Sequence, residues 1–202
     1  KYRFVEPQLA TNRFVRELRP EILVTGRYEP IVGAELIEAS LERLHVAVVY
    51  VHEEALKGFN AGVDMWTLME KIEIPPELRV GQGYGKVSWA VRTFWEEYVG
   101  WFKLESTTEF YPDSAPAALA ELLVLTGTDA ALDRAEAALT RGNAPLALTL
   151  GEAIAQTESE NPRLRSLMAN AHQYLLDNGG DVSFWENGWL RTELARWSEP
   201  AL

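Results

Sequence analysis

The sequence contains no cysteine, which excludes disulfide bonds, thiolate zinc sites and cysteine nucleophiles. It also lacks any uninterrupted apolar run close to the length of about 18 residues that a membrane-spanning helix needs. Its first residues show no basic stretch followed by an apolar one, so we expect no signal peptide. We therefore expect a soluble protein. The missing cysteines do not identify the compartment, and of the possible compartments we favour the cytoplasm.

An excess of basic charge is also missing. The 202 residues include 19 Lys and Arg against 30 Asp and Glu, a net charge of −11, which disfavours binding to nucleic acid or to anionic lipid. Apolar residues make up 47% of the chain and include seven tryptophans. A chain of this length and composition can bury a sizeable core, so we expect a folded protein with one large or two small domains.

Histidine is scarce, with three in the chain. His45 and His52 are seven residues apart on one predicted helix, which separates them by about 10.5 Å along the axis, too far to share a metal ion. His172 stands alone on another predicted helix. These positions are typical of polar residues beside an apolar helix stripe, and no metal site is predicted in this chain.

The other candidate catalytic and binding residues also lack partners at a suitable spacing. The adjacent pairs Glu53-Glu54 and Glu96-Glu97 diverge by about 100° around a helix, so solvated faces are the favoured interpretation. The stretch GQGYG at residues 81–85 lacks the Lys-Ser/Thr of a phosphate loop, which favours a structural turn. Ser88 and Ser106 have no neighbouring histidine or acidic residue at a recognisable spacing, so a serine nucleophile has no support. We predict no catalytic residue in this chain.

Hydrophobic periodicity predicts the first elements. It indicates a helix over residues 7–19 that Pro20 ends, then a strand over 22–25, then a long helix over 34–57. The strand has no predicted sheet partner, so we expect it to fray or to pair across a dimer. A shorter helix follows, with Asp64 as its N-cap.

An aromatic helix is predicted next, over residues 86–102, after the Pro- and Gly-rich loop at 74–85. Its aromatic residues cover more than one helix face: Trp89, Phe94, Trp95, Tyr98, Trp101 and Phe102. Two aromatic faces exceed what a single core contact requires, so we expect this helix to contact two partners.

The second half is rich in Ala and Leu, and short polar breaks separate its predicted helices. Residues 131–180 resemble a tetratricopeptide repeat, with Gly142, Ala147 and Ala153 at close-packing positions and Asn161-Pro162 opening the next helix. One or two imperfect units are visible. A final aromatic helix is predicted near 181–197. A tetratricopeptide-like scaffold that binds a peptide is one alternative function.

Four short motifs occur in an order that is specific: YVHE at 50–53, IPPEL at 74–78, GYG-x-VS at 83–88 and YVGWF at 98–102. With the tetratricopeptide-like tail, they resemble the alkylsulfatase-type branch of the metallo-β-lactamase-fold hydrolases. The resemblance implies a mainly α fold, a helical dimerisation domain with tetratricopeptide-like hairpins, preceded by a short helix-strand remnant.

The same resemblance implies the domain organisation and function. Residues 1–33 are similar to the last helix, strand and loop of the catalytic domain, and residues 34–202 to the all-α dimerisation domain. The implied function is homodimerisation and covering of the substrate pocket, with the upstream catalytic domain as a further partner. The implied pocket-lining residues are Tyr84, Trp89, Tyr98 and Trp101. Zinc is the cofactor of the full-length family, but its H-x-H-x-D-H motif is absent from this chain.

Two positions depart from the family pattern. Arg27 stands where the family commonly has a zinc-ligating histidine in a G-H-G loop, and a guanidinium stays protonated and has no lone pair for a metal. Trp89 stands where alkylsulfatases commonly have a histidine after VS. Both departures point away from sulfate-ester hydrolysis by this chain. The alternative is a fragment or a degenerate member of a zinc-dependent hydrolase whose catalytic part lies upstream.

Overall fold

The computed structural model describes residues 4–26, 28–102, 106–112, 115–179 and 183–198, without the side chains of 115–117. The described residues form nine α-helices, two short 3₁₀ helices and one two-stranded sheet. The predicted mainly α fold is therefore confirmed. The chain divides into two compact units, Lys1–Lys103 and Leu104–Leu202.

The first unit contains four helices and the small sheet. In chain order its elements are α1 (Val5–Glu17), β1 (Ile22–Leu23), β2 (Ile31–Val32), α2 (Ala34–Asn60), α3 (Met65–Lys71), a 3₁₀ turn (Pro76–Leu78) and α4 (Val87–Val99). The long helix α2 is the centre of this unit, because α1, α3, α4 and both strands pack against it. Between α3 and α4, the predicted loop at 74–85 contains one 3₁₀ turn and is otherwise irregular.

The expectation of an orphan strand is wrong. β1 pairs antiparallel with β2, with Ile22 opposite Val32 and Leu23 opposite Ile31. β2 is only two residues long and gives no periodic signal in the sequence, so the hairpin was missed. Arg27, the residue at the position of the lost zinc ligand, lies outside the described residues.

The core of the first unit lies between α2 and the helices that flank it. Its buried residues are Val5, Leu9, Val51, Ala55, Leu68, Val91 and Phe94. As predicted, Asp64 caps α3, accepting a hydrogen bond of 2.9 Å from the backbone N–H of Thr67. Gly58 lets α3 approach α2 closely, because a Cβ atom there would lie 2.4 Å from Leu68 Cδ2.

The second unit is a row of helices. They are α5 (Ala115–Thr126), α6 (Thr128–Thr140), α7 (Ala144–Glu158), α8 (Pro162–Asn178) and α9 (Phe184–Ser198), after a 3₁₀ turn (Thr107–Phe110). α6, α7 and α8 pack on one another, α5 packs on α6 and α7, and α9 packs on α8. The two ends of the row are therefore α5 and α9.

Small side chains allow these helices to pack closely. Ala147 and Ala153 are buried as predicted, and Gly142 has a positive φ of 80° and leaves room for the hydroxyl of Tyr174. Asn161 caps α8 through hydrogen bonds from the backbone N–H groups of residues 163 and 164. The closest packing among the described glycines of this unit is at Gly151, which no sequence feature indicated.

An ion-pair network joins α8 to α6. The guanidinium of Arg163 lies 2.5 Å from Asp133 and 2.6 Å from Glu136. The hydrogen bond from Arg163, helped by its positive charge, lowers the pKa of Glu136 below the ordinary value of 4.5. The pKa of Glu136 is lower in the folded than in the unfolded chain, so the network contributes its full stabilisation above pH 4.5. This stabilisation is lost as the pH falls through the lowered pKa of Glu136.

We therefore expect Arg163→Ala to lower the urea midpoint only modestly at pH 7, since the ion pair is partly exposed and screened by water. The deficit should shrink as the pH is lowered from 5 to 3. Urea denaturation at several pH values measures it. Arg134→Ala, an exposed arginine of α6, is the matched control, and an equal loss in both variants would refute a specific role for the network.

Candidate functional site

The predicted lining residues lie on α4 and on the loops at its two ends. The side chain of Gln82 accepts a hydrogen bond of 2.9 Å from the backbone N–H of Val87, so the Gly-rich loop at 81–85 closes on the N-terminus of α4. At the other end the helix stops at Gly100, whose φ of 77° favours glycine. The loop therefore has the structural role predicted for it.

A tyrosine pair lies at the N-terminal end of α4. The hydroxyl of Tyr84 is 2.7 Å from the hydroxyl of Tyr28, and both side chains are exposed. Tyr28 belongs to the β1–β2 loop and has a left-handed φ of 64°, which is uncommon for a residue with a bulky side chain. Nearby in the sequence, the ammonium of Lys86 lies 5.8 Å from the ring centre of Trp89, a cation–π contact.

A tyrosine–histidine pair lies towards the C-terminal end of α4. Tyr98 Oη is 2.7 Å from Nε2 of the buried His52 on α2, and the two rings stack with centroids 5.8 Å apart. Phe94 packs edge-on against the same imidazole. Burial, together with the charges of Glu97 and Glu6, raises the pKa of Tyr98. The pair therefore presents an uncharged phenol at neutral pH and ties α4 to α2.

The four predicted lining residues are not gathered on one face of α4. Trp89 and Tyr98 are nine residues apart, which places them on opposite sides of the helix and about 13.5 Å apart along its axis. Trp101 lies beyond the end of the helix and is 70% exposed. The structure brings Tyr84 to Tyr28, Trp89 to Lys86 and Tyr98 to His52. Their shared role in lining a pocket stays a prediction.

The carboxylate pair on α4 has local structural partners. Glu96 forms an ion pair with Arg92 at 3.0 Å. Glu97 accepts a 2.8 Å hydrogen bond from the backbone N–H of Val5, which ties the first turn of α1 to α4. The predicted solvated face is thus wrong for both residues, because the side chain of Glu96 is only 19% exposed and that of Glu97 is half-buried where α1 packs near α4.

An apolar groove of about 400 Å³ that no sequence feature indicated lies between α1, α2 and β1. Leu9, Val15, Leu23 and Leu44 contribute to its walls, as does His45. Three elements separated in the chain form this groove, so no local signal could have revealed it. None of the four predicted lining residues contributes to it.

Within the described ranges, no group of three or more His, Cys, Asp or Glu side chains could hold a metal ion. His52 is bound to Tyr98, and Nδ1 of His172 lies 2.7 Å from the carbonyl oxygen of Met168. These residues do not fit the zinc site of the family, so we derive no chemical step through a metal ion. What α4 and its loops offer is aromatic surface, hydroxyl groups and one ammonium group.

The fold defines a class of protein: a helical domain that combines an aromatic helix with a row of paired helices. Residues 65–191 match the alkyl sulfatase dimerisation family, and the chain belongs to that family. The resemblance seen in the sequence is thereby confirmed.

Two curated relatives agree with this assignment. The chain is 23% identical over 185 residues to a linear primary-alkylsulfatase of Pseudomonas sp. (strain ATCC 19151), covering 89% of this chain and 35% of the relative. It is 22% identical over 178 residues to the alkyl/aryl-sulfatase BDS1 of Saccharomyces cerevisiae, covering 85% and 27%. The chain thus spans about a third of the length of these relatives.

Solved structures share the fold. The stereoselective inverting sec-alkylsulfatase Pisa1 from Pseudomonas sp. superposes with a TM-score of 0.82 at 19% identity, over 97% of this chain and 32% of that one. A double mutant of the sec-alkyl sulfatase PisA1 gives 0.83 at the same identity, over 98% and 32%. In the part of the chain that the structure describes, no helix is both long enough and apolar enough to cross a bilayer.

Proposed function

We propose that this chain is the homodimerisation and substrate-pocket-covering part of an alkylsulfatase-like hydrolase of the metallo-β-lactamase fold. In this proposal residues 1–33 are the end of the catalytic domain and residues 34–202 the dimerisation domain, with the rest of the catalytic domain as a further partner. The observation that carries the proposal is the aromatic surface at both ends of α4, which lies inside the family match.

The chemistry of that surface suits an alkyl sulfate, the substrate class named for the Pseudomonas relative. Exposed aromatic rings offer an alkyl chain apolar contact, which contributes about 25 cal/mol for each Å² removed from water. Tyr84 and Lys86 carry hydrogen-bond donors near Trp89 in the sequence, and a sulfate group accepts such bonds. The described residues therefore supply binding and orientation rather than bond breaking.

Self-association is tested by the molar mass in solution. Light scattering behind a sizing column, at several protein concentrations, should give a mass near twice 22.7 kDa that persists on dilution. A stable monomer at every concentration would overturn the homodimer and leave only the pocket-covering role.

The pocket-covering role is tested by ligand binding. We expect octyl sulfate below its micelle concentration to bind the chain, and Trp89→Ala or Trp101→Ala to weaken binding several-fold, because each removes apolar contact area. Isothermal titration calorimetry measures the affinity. Trp66→Ala, which removes a 53% exposed tryptophan of α3, is the matched control. Equal affinity in all four proteins would remove the support for the proposed pocket.

A further inference from the structure

The outer face of α9 exposes three large aromatic side chains. Phe184, Trp185 and Trp189 are 63%, 59% and 65% exposed. Their helix is anchored by its other side, where Leu190 and Trp197 are buried in the packing on α8. Terminal helices of a row usually present a polar outer face to water, so an aromatic one indicates that something covers it.

Gly188 lies on this face, four residues after Phe184, three after Trp185 and one before Trp189. Glycine in the middle of a helix is destabilising relative to alanine, and it persists where a backbone must be approached closely. Within the described chain no such approach exists, because no atom of a described neighbour lies within 4 Å of the position of a Cβ atom at Gly188. Helical spacing sets Gly188 between Phe184 on one side and the two indoles on the other, so these rings border a notch at the bare backbone of Gly188. The notch has room for a side chain from outside the chain.

We infer that this face, the α9 notch formed by Phe184, Trp185, Gly188 and Trp189, is where a second copy of the chain docks. The inference rests on the homodimerisation proposed above and assigns a surface to it. In a dimer with twofold symmetry the same patch meets itself, so a Trp189 indole from each copy lies over Gly188 of the other. Tryptophan is enriched among the residues that dominate binding energy at interfaces.

Area and charge both agree with this occupant. Three aromatic side chains at these exposures present on the order of 300–450 Å², a fitting centre for an interface that buries about 800 Å² on each partner. None of the four notch residues is charged, and the exposed Arg191, three residues after Gly188, lies at the edge of this face. The centre of the patch therefore meets its copy without like charges in contact. The size and neutrality of the notch therefore suit an identical partner.

The other end of the row is less suited to self-pairing. α5 exposes Leu122, Val124 and Leu125, and its one described charged residue, Glu121, is exposed on the same outer side. If that face met itself, the Glu121 carboxylates of the two copies would approach each other and repel. No glycine opens the backbone of this helix. A dimer through α5 is therefore the competing outcome of the test.

The test uses Gly188→Ala, for which a structural role and an interface role predict opposite results. Alanine should raise the thermal midpoint at the lowest protein concentration, where the monomer dominates, because it favours the helix. It should nevertheless weaken dimerisation at least several-fold, because its methyl group fills the notch. Trp189→Ala should weaken dimerisation tenfold or more. Sedimentation velocity over a concentration series measures the dimer dissociation constant, and circular dichroism confirms that each variant folds.

Leu125→Ala on α5 is the matched control and should leave the dissociation constant within about twofold. A wild-type dimer that both α9 variants leave intact would overturn the docking surface while the proposed homodimer stands. If Leu125→Ala dissociates the dimer and the α9 variants do not, the interface lies on α5 and the inference is overturned. A wild-type chain that is monomeric throughout would overturn the homodimer itself, and the docking surface with it.

Discussion

Replacing Phe94 with alanine should lower the free energy of unfolding of the first unit by about 3–5 kcal/mol. Phe94 is only 5% exposed and packs in the core where α4 meets α2. Truncation would leave a cavity there and remove the ring that packs edge-on against His52, with centroids 5.3 Å apart. The Tyr98–His52 pair would then lose part of its support, so α4 should loosen at its C-terminal end.

Urea denaturation followed by tryptophan fluorescence measures this loss. Trp101→Ala is the control, because it removes an even larger aromatic side chain that is 70% exposed, and its effect should stay within about 0.5 kcal/mol. A loss below about 1 kcal/mol for Phe94→Ala would contradict the placement of this side chain in the core.

Adding a single methyl group at Gly151 should also be costly. A Cβ atom there would lie 2.3 Å from Sδ of Met168 and 3.4 Å from Cδ1 of Leu164, so α8 or the Met168 side chain has to move. Overpacking of a core costs about 1–3 kcal/mol. Alanine regains about 1 kcal/mol of helix propensity over glycine, so we expect Gly151→Ala to lower the free energy of unfolding by up to about 2 kcal/mol.

A double-mutant cycle identifies the cause. Met168→Ala alone should cost about 2–5 kcal/mol, because Met168 is almost fully buried. The double variant should lose at least about 1 kcal/mol less than the sum of the two single losses, since each change makes room for the other. Gly188→Ala is the control within the same unit, and at a protein concentration where the monomer dominates it should be neutral or stabilising. Additive losses would show that Gly151 and Met168 do not share the contact.

Local signals predicted most of the helices. α2 was predicted over 34–57 and is found over Ala34–Asn60, because its apolar stripe repeats at helical spacing for six turns. The caps at Asp64 and Asn161 were predicted correctly, since a cap is a contact with residues two or three positions along the chain. The motifs that carry the family resemblance are likewise short and contiguous, and the family match confirms them.

Contacts between distant residues were beyond such reasoning. The Tyr28–Tyr84 hydrogen bond joins residues 56 positions apart, and the Tyr98–His52 bond joins residues 46 apart. The aromatic pattern of α4 predicted two faces but could not tell which ring meets which neighbour. The same limit applies to the groove between α1 and α2.

The amino-acid sequence by itself determined the mainly α fold, the order of its helices, their caps and the family. These depend on periodicity and on neighbours a few residues apart. The tertiary structure alone decided the pairing of β1 with β2, the close packing at Gly151 and the open notch at Gly188. The two glycines look alike in sequence, both lying inside predicted helices. One touches Met168 and the other faces open space, and only the packing of whole helices distinguishes them.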